Sequence, residues 1–366
     1  MKKITYAQVG DNYMTKDPTK VLAQKSAKLT AKNLKKQGFY EIADTRGESA
    51  YVWGQGTMLM ASVIEGLGTK NLIADKMYQL TGRSYYDVIG HDTVATGLND
   101  LISVGATPLV VHAYWAIENN DWLQDMKRMN DLVSGWTSAC NLAGASWGGG
   151  ETATQTDINN KNAVDLGVSA IGFIKKDKNL VLGSNIEVGD RIIFLKSNGV
   201  NANGITLTRK IADRLKNGYL EMIEPGLTYG DALLTRTNIY AQLIQNLQKS
   251  NINIHYLSNI TGHGLRKVMR SKKEVTYVIE KVFEPQEIFK FIQKQAGLSD
   301  YESFDTYNMG QDYAIFISEK DVKKVQEIIK SSGFESIVAG FVEKGSRRVV
   351  IKPKNIVFES KSLSLI

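Results

Sequence analysis

The chain is poor in the residues that build the commoner hydrolytic and metal centres. Among its 366 residues are one cysteine, Cys140, five prolines and four histidines. A single thiol excludes an intrachain disulfide and a cysteine-based metal cluster, and it suits a reducing compartment. The sequence contains neither a Gly-x-Ser-x-Gly elbow nor a His-Glu-x-x-His pair. Nucleophilic-serine and zinc hydrolases therefore lack their usual constellations. The longest uncharged run, Leu101 to Ile117, is interrupted by Ser103, Gly105, Thr107, Pro108 and His112 and is too short for a membrane span. The start, Met-Lys-Lys-Ile-Thr-Tyr-Ala-Gln, is positive and then polar, without the apolar core of a secretory leader. A cytoplasmic chain without a membrane partner is the expectation. Strong charge bias is also missing. A net charge of +7 over this length is mild; it suits a small anionic substrate and is no nucleic-acid signature, and the densest basic stretch, Lys32 to Lys36, reads as a solvated helix face.

Apolar residues make up 43% and charged residues 23%, ordinary globular usage at a length of two domains. Strand-length apolar runs alternate with helical periodicity, which predicts an α/β chain. The polar, lysine-bearing stretch Lys175 to Asn185 is the expected boundary, giving units 1–175 and 176–366. Strands are expected at Thr57–Ile64, Leu109–Ile117, Ala163–Ile174, Asp190–Leu195, Ile252–Leu257, Val275–Val282, Asp312–Ile317 and Arg347–Ile351. Helices are expected at Thr93–Val104, Trp122–Leu142, Ile205–Leu215, Asp231–Lys249 and Pro285–Gln295, and from Ser318 to Lys330 behind a Ser318/Asp321 capping box.

Five constellations could carry chemistry. Glu65-Gly66-Leu67-Gly68-Thr69-Lys70 follows a strand; its glycines allow close backbone approach to a phosphate, and Lys70 adds charge. A strand-ending turn would look the same. Asp92, expected as a helix N-cap, precedes Asn99-Asp100, an unusual polar pair in an apolar helix, and a carboxylate buried there calls for a partner such as magnesium. Trp147-Gly148-Gly149-Gly150-Glu151 is expected as a loop that brings a carboxylate and bare amides to a ligand. Ser197 to Gly204 and Asn259 to Gly264 each join a strand to a helix through short polar residues and glycines, an outline of an anion site. His263 lies in the second of these, with Arg266 just beyond. His91, His112 and His255 are expected to be packing or capping residues. Dispersed carboxylates with glycine-rich turns form a kit for magnesium–nucleotide work, where catalysis is mostly positioning and charge neutralisation.

Taken in order, these segments resemble phosphoribosylformylglycinamidine cyclo-ligase, also called aminoimidazole ribonucleotide (AIR) synthetase. The family's Asp-Gly-Val-Gly-Thr-Lys resembles Glu65 to Lys70. Its Gly-x-Asp-x-Val-Ala, Val-Asn-Asp-Leu and Gly-Ala-x-Pro are similar to Gly90 to Pro108, and its Gly-Gly-Glu-Thr-Ala is Gly149 to Ala153. Its Ser-Asn-Gly loop resembles Ser197 to Lys210, its Ile-Thr-Gly-Gly-Gly resembles Ile260 to Gly264, and its Thr-Phe-Asn-x-Gly resembles Thr306 to Gly310. The likeness runs from about residue 55 to about residue 352.

The resemblance implies a two-domain α/β fold, a homodimer built through the N-terminal domains, and ATP with magnesium in a cleft. It implies ring closure of formylglycinamidine ribonucleotide, a phosphoribosyl substrate, with release of ADP and phosphate. By position, Asp100 and Glu151 carry over as magnesium and phosphate carboxylates, with Glu65 and Asp92 at related metal places. Lys70 and His263 join Asp100 and Glu151 as the expected catalytic set. Gly66, Gly68, Thr69, Lys70, Asn99, Gly149, Gly150 and Lys25 would face the nucleotide. Asn198, Gly199, Asn203, Gly204, Thr261, Gly262 and Gly264 would face the substrate. The chain departs from the family at Glu65 (for Asp), Ala113 (for Asp), Thr154-Gln155 and His263 (for Gly), and Thr237-Asn238 lengthens a Thr-Arg-Ile-Tyr motif. These departures leave two alternatives: another ATP-dependent enzyme of the superfamily, or a nucleotide-binding paralogue without cyclo-ligase activity.

Overall fold

The computed structural model describes residue 3 and residues 13–175 and 179–363. In the first half, strands β1 (Tyr40–Glu41), β2 (Tyr51–Gln55), β3 (Met58–Gly66), β4 (Thr107–Ile117), β5 (Ser146–Thr154) and β6 (Val164–Ile174) form one sheet of order β1-β2-β3-β6-β4-β5. Its helices are α1 (Tyr13–Thr30), α2 (Lys32–Lys36), α3 (Asn71–Thr81), α4 (Tyr86–Leu101) and α5 (Met126–Ala143). The second half opens with β7 (Arg191–Lys196), a small hairpin of β8 (Met222–Glu224) and β9 (Leu227–Thr228), and then β10 (Ile254–Asn259). Strands β11 (Val275–Ile279), β12 (Gln311–Ile317), β13 (Ser336–Lys344), β14 (Arg348–Ile351) and β15 (Ile356–Glu359) complete a seven-stranded sheet of order β10-β12-β7-β13-β11-β14-β15. Its helices are α6 (Ile205–Ala212), α7 (Tyr229–Leu233), α8 (Ala241–Lys249), α9 (Glu287–Ala296), α10 (Asp300–Thr306) and α11 (Val322–Ser331).

One face of the first sheet is covered. Helix α4 packs on β3 and β6, and α5 packs on α4. Glycines set that spacing. A Cβ on Gly90 would lie 2.4 Å from the Leu132 carbonyl, and one on Gly135 would lie 2.1 Å from the Asp87 carbonyl, so the two helices touch through bare backbone. Gly97 does the same against Val168. The other face carries Met58, Ile64, Leu109 and Tyr114, and Ile64 is 79% exposed. Alternation along β3 puts Leu59 and Ala61 inward with Glu65, and Met58 and Ile64 outward.

Several expectations are corrected. Asp92 is not an N-cap: α4 begins at Tyr86, so Asp92 lies inside the helix. Trp147 to Ala153 is not a loop but lies in the edge strand β5, parallel to β4, with a bulge that sets Val111 opposite Trp147 and Ala113 opposite Gly150. Asp231 to Lys249 is not one helix; α7 ends at Leu233, and a turn at Leu234 followed by an irregular stretch to Tyr240 separates it from α8. Ser318 makes no capping bond, whereas Ser299 and Glu302 form a full capping box on α10. Strands β1, β2, β8, β9, β13 and β15 were not foreseen.

Candidate active site

The irregular segment 234–240 explains the polar residues of α4. With no strand beside it, its backbone groups need partners. Lys70 Nζ donates to the Thr235 carbonyl at 3.0 Å and pairs with Asp92 Oδ2 at 2.6 Å, and both charged side chains are fully buried. Asp92 Oδ1 accepts from Thr237 N at 2.8 Å. His91 Nε2 meets the Thr237 carbonyl at 2.8 Å. Asn99 donates to the Asn238 carbonyl at 2.7 Å and accepts from Tyr240 N at 3.1 Å. Lys70, Asp92 and Asn99, expected at the nucleotide, are thus all engaged in clamping this segment.

The next residue on α4, Asp100, lies against Glu65 near the end of β3. Their carboxylates are in hydrogen-bonding contact; burial first, and then the Asp100 charge, hold the Glu65 carboxyl well above the usual carboxylate range. Two carboxylates this close in a low dielectric share a proton unless a cation joins them. Asp100 Oδ1 also accepts from Asn259 Nδ2 at 2.7 Å, which ties the first half to the end of β10 in the second. Lys267 and Arg270, in and just after the 3₁₀ turn Gly264–Met269, act electrostatically on Glu65. The Lys267 side chain is buried, and burial together with Arg270 lowers its pKa to about 8.

The two glycine loops of the second half meet. Asn203 Oδ1 accepts from Gly262 N at 3.0 Å. Gly204 adopts φ 71°, and a Cβ there would lie 2.1 Å from the Tyr307 ring. Asn198 donates to Asn238 Oδ1 at 2.8 Å, and Gly199 O accepts from Asn308 Nδ2 at 2.9 Å. Thr261 is half-buried beside Gly262. His263 adopts φ 74°, the left-handed region the family's glycine would favour, and burial with Lys267 and Arg266 lowers its pKa to about 3, leaving a neutral imidazole. Gly264 packs directly on the Phe304 carbonyl. In the first glycine turn, Gly68 has φ 75°, Gly66 ends β3, and Thr69 Oγ1 is buried without a hydrogen-bond partner.

Glu151 is not brought to this cluster within one chain. It stands in register with exposed Tyr114, and register neighbours in a sheet share a face. Glu65 pairs with Val168, Val168 with Ala113, and Ala113 with Gly150. The two acids are therefore about 14 Å apart at ~4.8 Å per strand, and they point to opposite faces. Gly149 and Gly150 are exposed with Glu151 on the edge strand.

Sequence reasoning stopped at Arg266 and missed Lys267 and Arg270. Arg266 turns away, donating to the Ser362 and Asp305 carbonyls. The signal available was the spacing of Lys267 and Arg270, three residues apart on one helical face after a glycine loop. Arg270 also braces the Gly47 carbonyl at 3.0 Å and Ser49 Oγ at 2.7 Å. It lines a cavity of about 670 Å³ with Lys25, Lys28, Arg46, Glu48 and Lys273. That volume suits a nucleotide-sized ligand, and the cationic lining suits an anionic one. Lys25, expected at the nucleotide, is among the residues that line this cavity.

Two α/β halves tied by the Asp100–Asn259 hydrogen bond have the two-domain architecture of the AIR synthase class. Residues 47–174 match the family model of the AIR synthase related protein N-terminal domain, and residues 187–352 match that of its C-terminal domain. The chain is 32% identical over 361 residues to the phosphoribosylformylglycinamidine cyclo-ligase of Methanosarcina barkeri, covering 98% of this chain and 99% of that protein. The Methanosarcina mazei protein of the same name matches with the same identity and coverage. The chain belongs to the phosphoribosylformylglycinamidine cyclo-ligase family. Among solved structures, the complex of HypE with HypF matches at TM-score 0.60 and 17% identity, covering 86% of this chain and 93% of that one. The hydrogenase maturation protein HypE in complex with ATP matches at TM-score 0.55 and 16% identity, covering 82% of each chain. These two likenesses concern the fold.

Proposed function

We propose that the chain performs its family's reaction: ATP-dependent closure of the imidazole ring of aminoimidazole ribonucleotide from formylglycinamidine ribonucleotide. The amide oxygen attacks the γ-phosphorus of ATP and ADP leaves; an internal nitrogen then attacks the activated carbon, and phosphate leaves. The observation that carries this reading is the Glu65–Asp100 pair, anchored by Asn259 and under the electrostatic influence of Arg270, which lines the cationic cavity. Its all-oxygen donors and its crowded negative charge fit a magnesium ion. When bound, that ion neutralises charge on the phosphates. Glu65 and Asp100 would hold it. Asp92 stays outside this set because Lys70 and Thr237 occupy both its oxygens. Glu65 reaches one methylene farther than the family's aspartate, which shifts where the ion is held relative to Asp100. Asn203 and Gly262 bring the two glycine loops to the substrate side.

The free apolar face of the first sheet supports a homodimer. Met58, Ile64, Leu109 and Tyr114 are exposed there in one band, and burying them against a second copy is favourable. Glu151 shares that face and would lie at the subunit junction. Among the described residues no helix is long and apolar enough to cross a membrane; with ATP as co-substrate we place the reaction in the cytoplasm. The test is ADP release coupled to product formation with formylglycinamidine ribonucleotide. Turnover that falls about 100-fold or more in Asp100→Asn supports the site. Nucleotide binding without turnover by the unaltered protein sinks the cyclo-ligase and leaves the binding paralogue.

A further inference from the structure

Asp312 is a buried carboxylate that the proposed chemistry does not use. It lies near the start of β12 and is 1% exposed. Strand β12 runs between β10 and β7 and antiparallel to both, so the segments that leave β7 and β10 flank its first residues. Those segments are the two glycine loops, 197–204 and 259–264. At this point β12 is bulged: Gln311 pairs with Lys196 and Tyr313 with Leu195, which leaves Asp312 without a register partner on β7. A bulge re-aims a side chain, and the Asp312 carboxylate meets donors from outside the sheet. Asn201 Nδ2 donates to its Oδ1 at 2.5 Å, and the Tyr240 hydroxyl donates to its Oδ2 at 2.6 Å. The Asp312 carbonyl accepts from Ile260 N at 3.0 Å. One residue thus touches both glycine loops and the end of the segment that α4 clamps. Burial pushes its carboxyl up to about 6, against the pull of Tyr240 and Asn201, so it is ionised at neutral pH and both side-chain bonds are charge-assisted.

A buried carboxylate costs desolvation; with its oxygens hydrogen-bonded it fixes the geometry of its donors. Asn201 is 6% exposed and adopts φ 56°. Its Oδ1 is buried without a hydrogen-bond partner, so the bond to Asp312 is the one hydrogen bond of its side chain among the described residues. Buried in this way, Asn201 offers no surface to a ligand; Asn198, exposed, and Asn203, half-buried, do. Asn203 passes the constraint to the other loop through its bond to Gly262 N. We infer that Asp312 is a positioning residue: through Asn201 it sets loop 197–204 against loop 259–264 in the spacing that receives the phosphoribosyl substrate. The inference rests on the proposed function. Asp312 touches no reacting atom and moves no proton.

The test measures steady-state constants for Asn201→Gly, Asp312→Ala and the double variant. Glycine adopts φ 56° freely, so Asn201→Gly keeps the fold and removes the bond. KM for formylglycinamidine ribonucleotide should rise about tenfold, the scale of one charge-assisted hydrogen bond, while KM for ATP stays within about twofold and kcat within about threefold. Asp312→Ala should raise the same KM at least as much. Asp312→Asn should recover part of that rise, because an amide pair forms once Asn201 turns its own amide over. Since Asn201 acts through Asp312, the double variant should match Asp312→Ala rather than multiply the two effects. A ribonucleotide KM within about twofold of normal in Asn201→Gly, an equal rise for ATP, or a multiplicative double variant would each overturn the inference. So would failure of Asn201→Gly to fold, which would make the bond a structural one. If Asp312→Ala does not fold, Asn201→Gly and Asp312→Asn decide. If the unaltered protein does not turn over the ribonucleotide, the proposed function falls and the calorimetric Kd of the ribonucleotide decides the inference. Binding about tenfold weaker in Asn201→Gly then upholds it, and an equal Kd, or no binding by the unaltered protein, overturns it.

Discussion

Lys70→Met separates a clamp from a phosphate ligand. Lys70 and Asp92 are 2.6 Å apart with both side chains 0% exposed. Methionine is of similar volume, so the change leaves no large cavity and acts through charge. Asp92 would keep one partner, Thr237 N at 2.8 Å, while its other oxygen faced nothing. Breaking one side of a buried pair costs about 3–5 kcal/mol. At about 2–4 °C per kcal/mol for a unit of 150–250 residues, the thermal midpoint falls by about 6–20 °C. Asp92→Leu alone should cost a similar amount, by stranding the ammonium. The double replacement removes both charges and leaves the Thr235 carbonyl and Thr237 N unpaired, at about 1–3 kcal/mol each. It therefore costs well under the sum of the singles, with a coupling of several kcal/mol. Urea unfolding followed by tryptophan fluorescence measures the cycle, and the coupling should change little between 0.1 and 1 M salt, because buried pairs are weakly screened. If Lys70→Met stays within about 1 kcal/mol of the unaltered protein and loses nucleotide affinity instead, the clamp is wrong and Lys70 serves the phosphates.

Three further outcomes follow from single contacts. The Glu65 carboxyl is held above its ordinary 4.5 by burial and Asp100; the folded state then binds a proton that the unfolded chain releases, so metal-free stability falls as pH rises above that value. Thermal midpoints from pH 5 to 9 should show this fall, and Glu65→Gln should flatten it; an unchanged slope refutes the pairing with Asp100. Gly204→Ala places a methyl 2.1 Å from the Tyr307 ring at φ 71° and should cost about 1–3 kcal/mol or more. It should also raise KM by displacing Asn203 from Gly262, and stability equal to the parent in urea would contradict that packing. Ile64→Glu, at a site 79% exposed on the free sheet face, should give monomers by sedimentation; a persistent dimer would move the interface elsewhere.

Much of the fold was legible because its signals are local. The strands β3, β4, β6, β7 and β12 follow apolar runs closely, and the break between the sheets falls in the polar stretch after Ile174. Elements were lost where local and tertiary preferences part. Trp147 to Glu151 has three successive glycines, whose propensity says loop; pairing with β4 overrides it and makes an edge strand. Asp231 to Lys249 has no proline and few breakers, so periodicity carried a helix through residues 234–240, which bond to α4 instead of forming one.

That last misreading hid the meaning of α4. Asn99 and Asp100 stood out in the sequence as a polar pair on an apolar helix, with magnesium as the partner supposed for a buried carboxylate, while His91 was expected to pack or cap and Asp92 to cap the helix. With residues 234–240 taken as helical, no unsatisfied backbone called for them. With that segment irregular, each polar group meets a backbone amide or carbonyl within 3.1 Å, and only Asp100 is left facing another acid. The three acids that looked equivalent are sorted by the same logic. Glu65 follows Leu59 and Ala61 on the inward face, so alternation points it to Asp100. Glu151 follows glycines, which have no side chains to alternate, so its face could be known only from its register with Tyr114. Lys267 was the least visible of all: its electrostatic reach to Glu65 comes from the packing of the turn after Gly264, and no sequence pattern shows it.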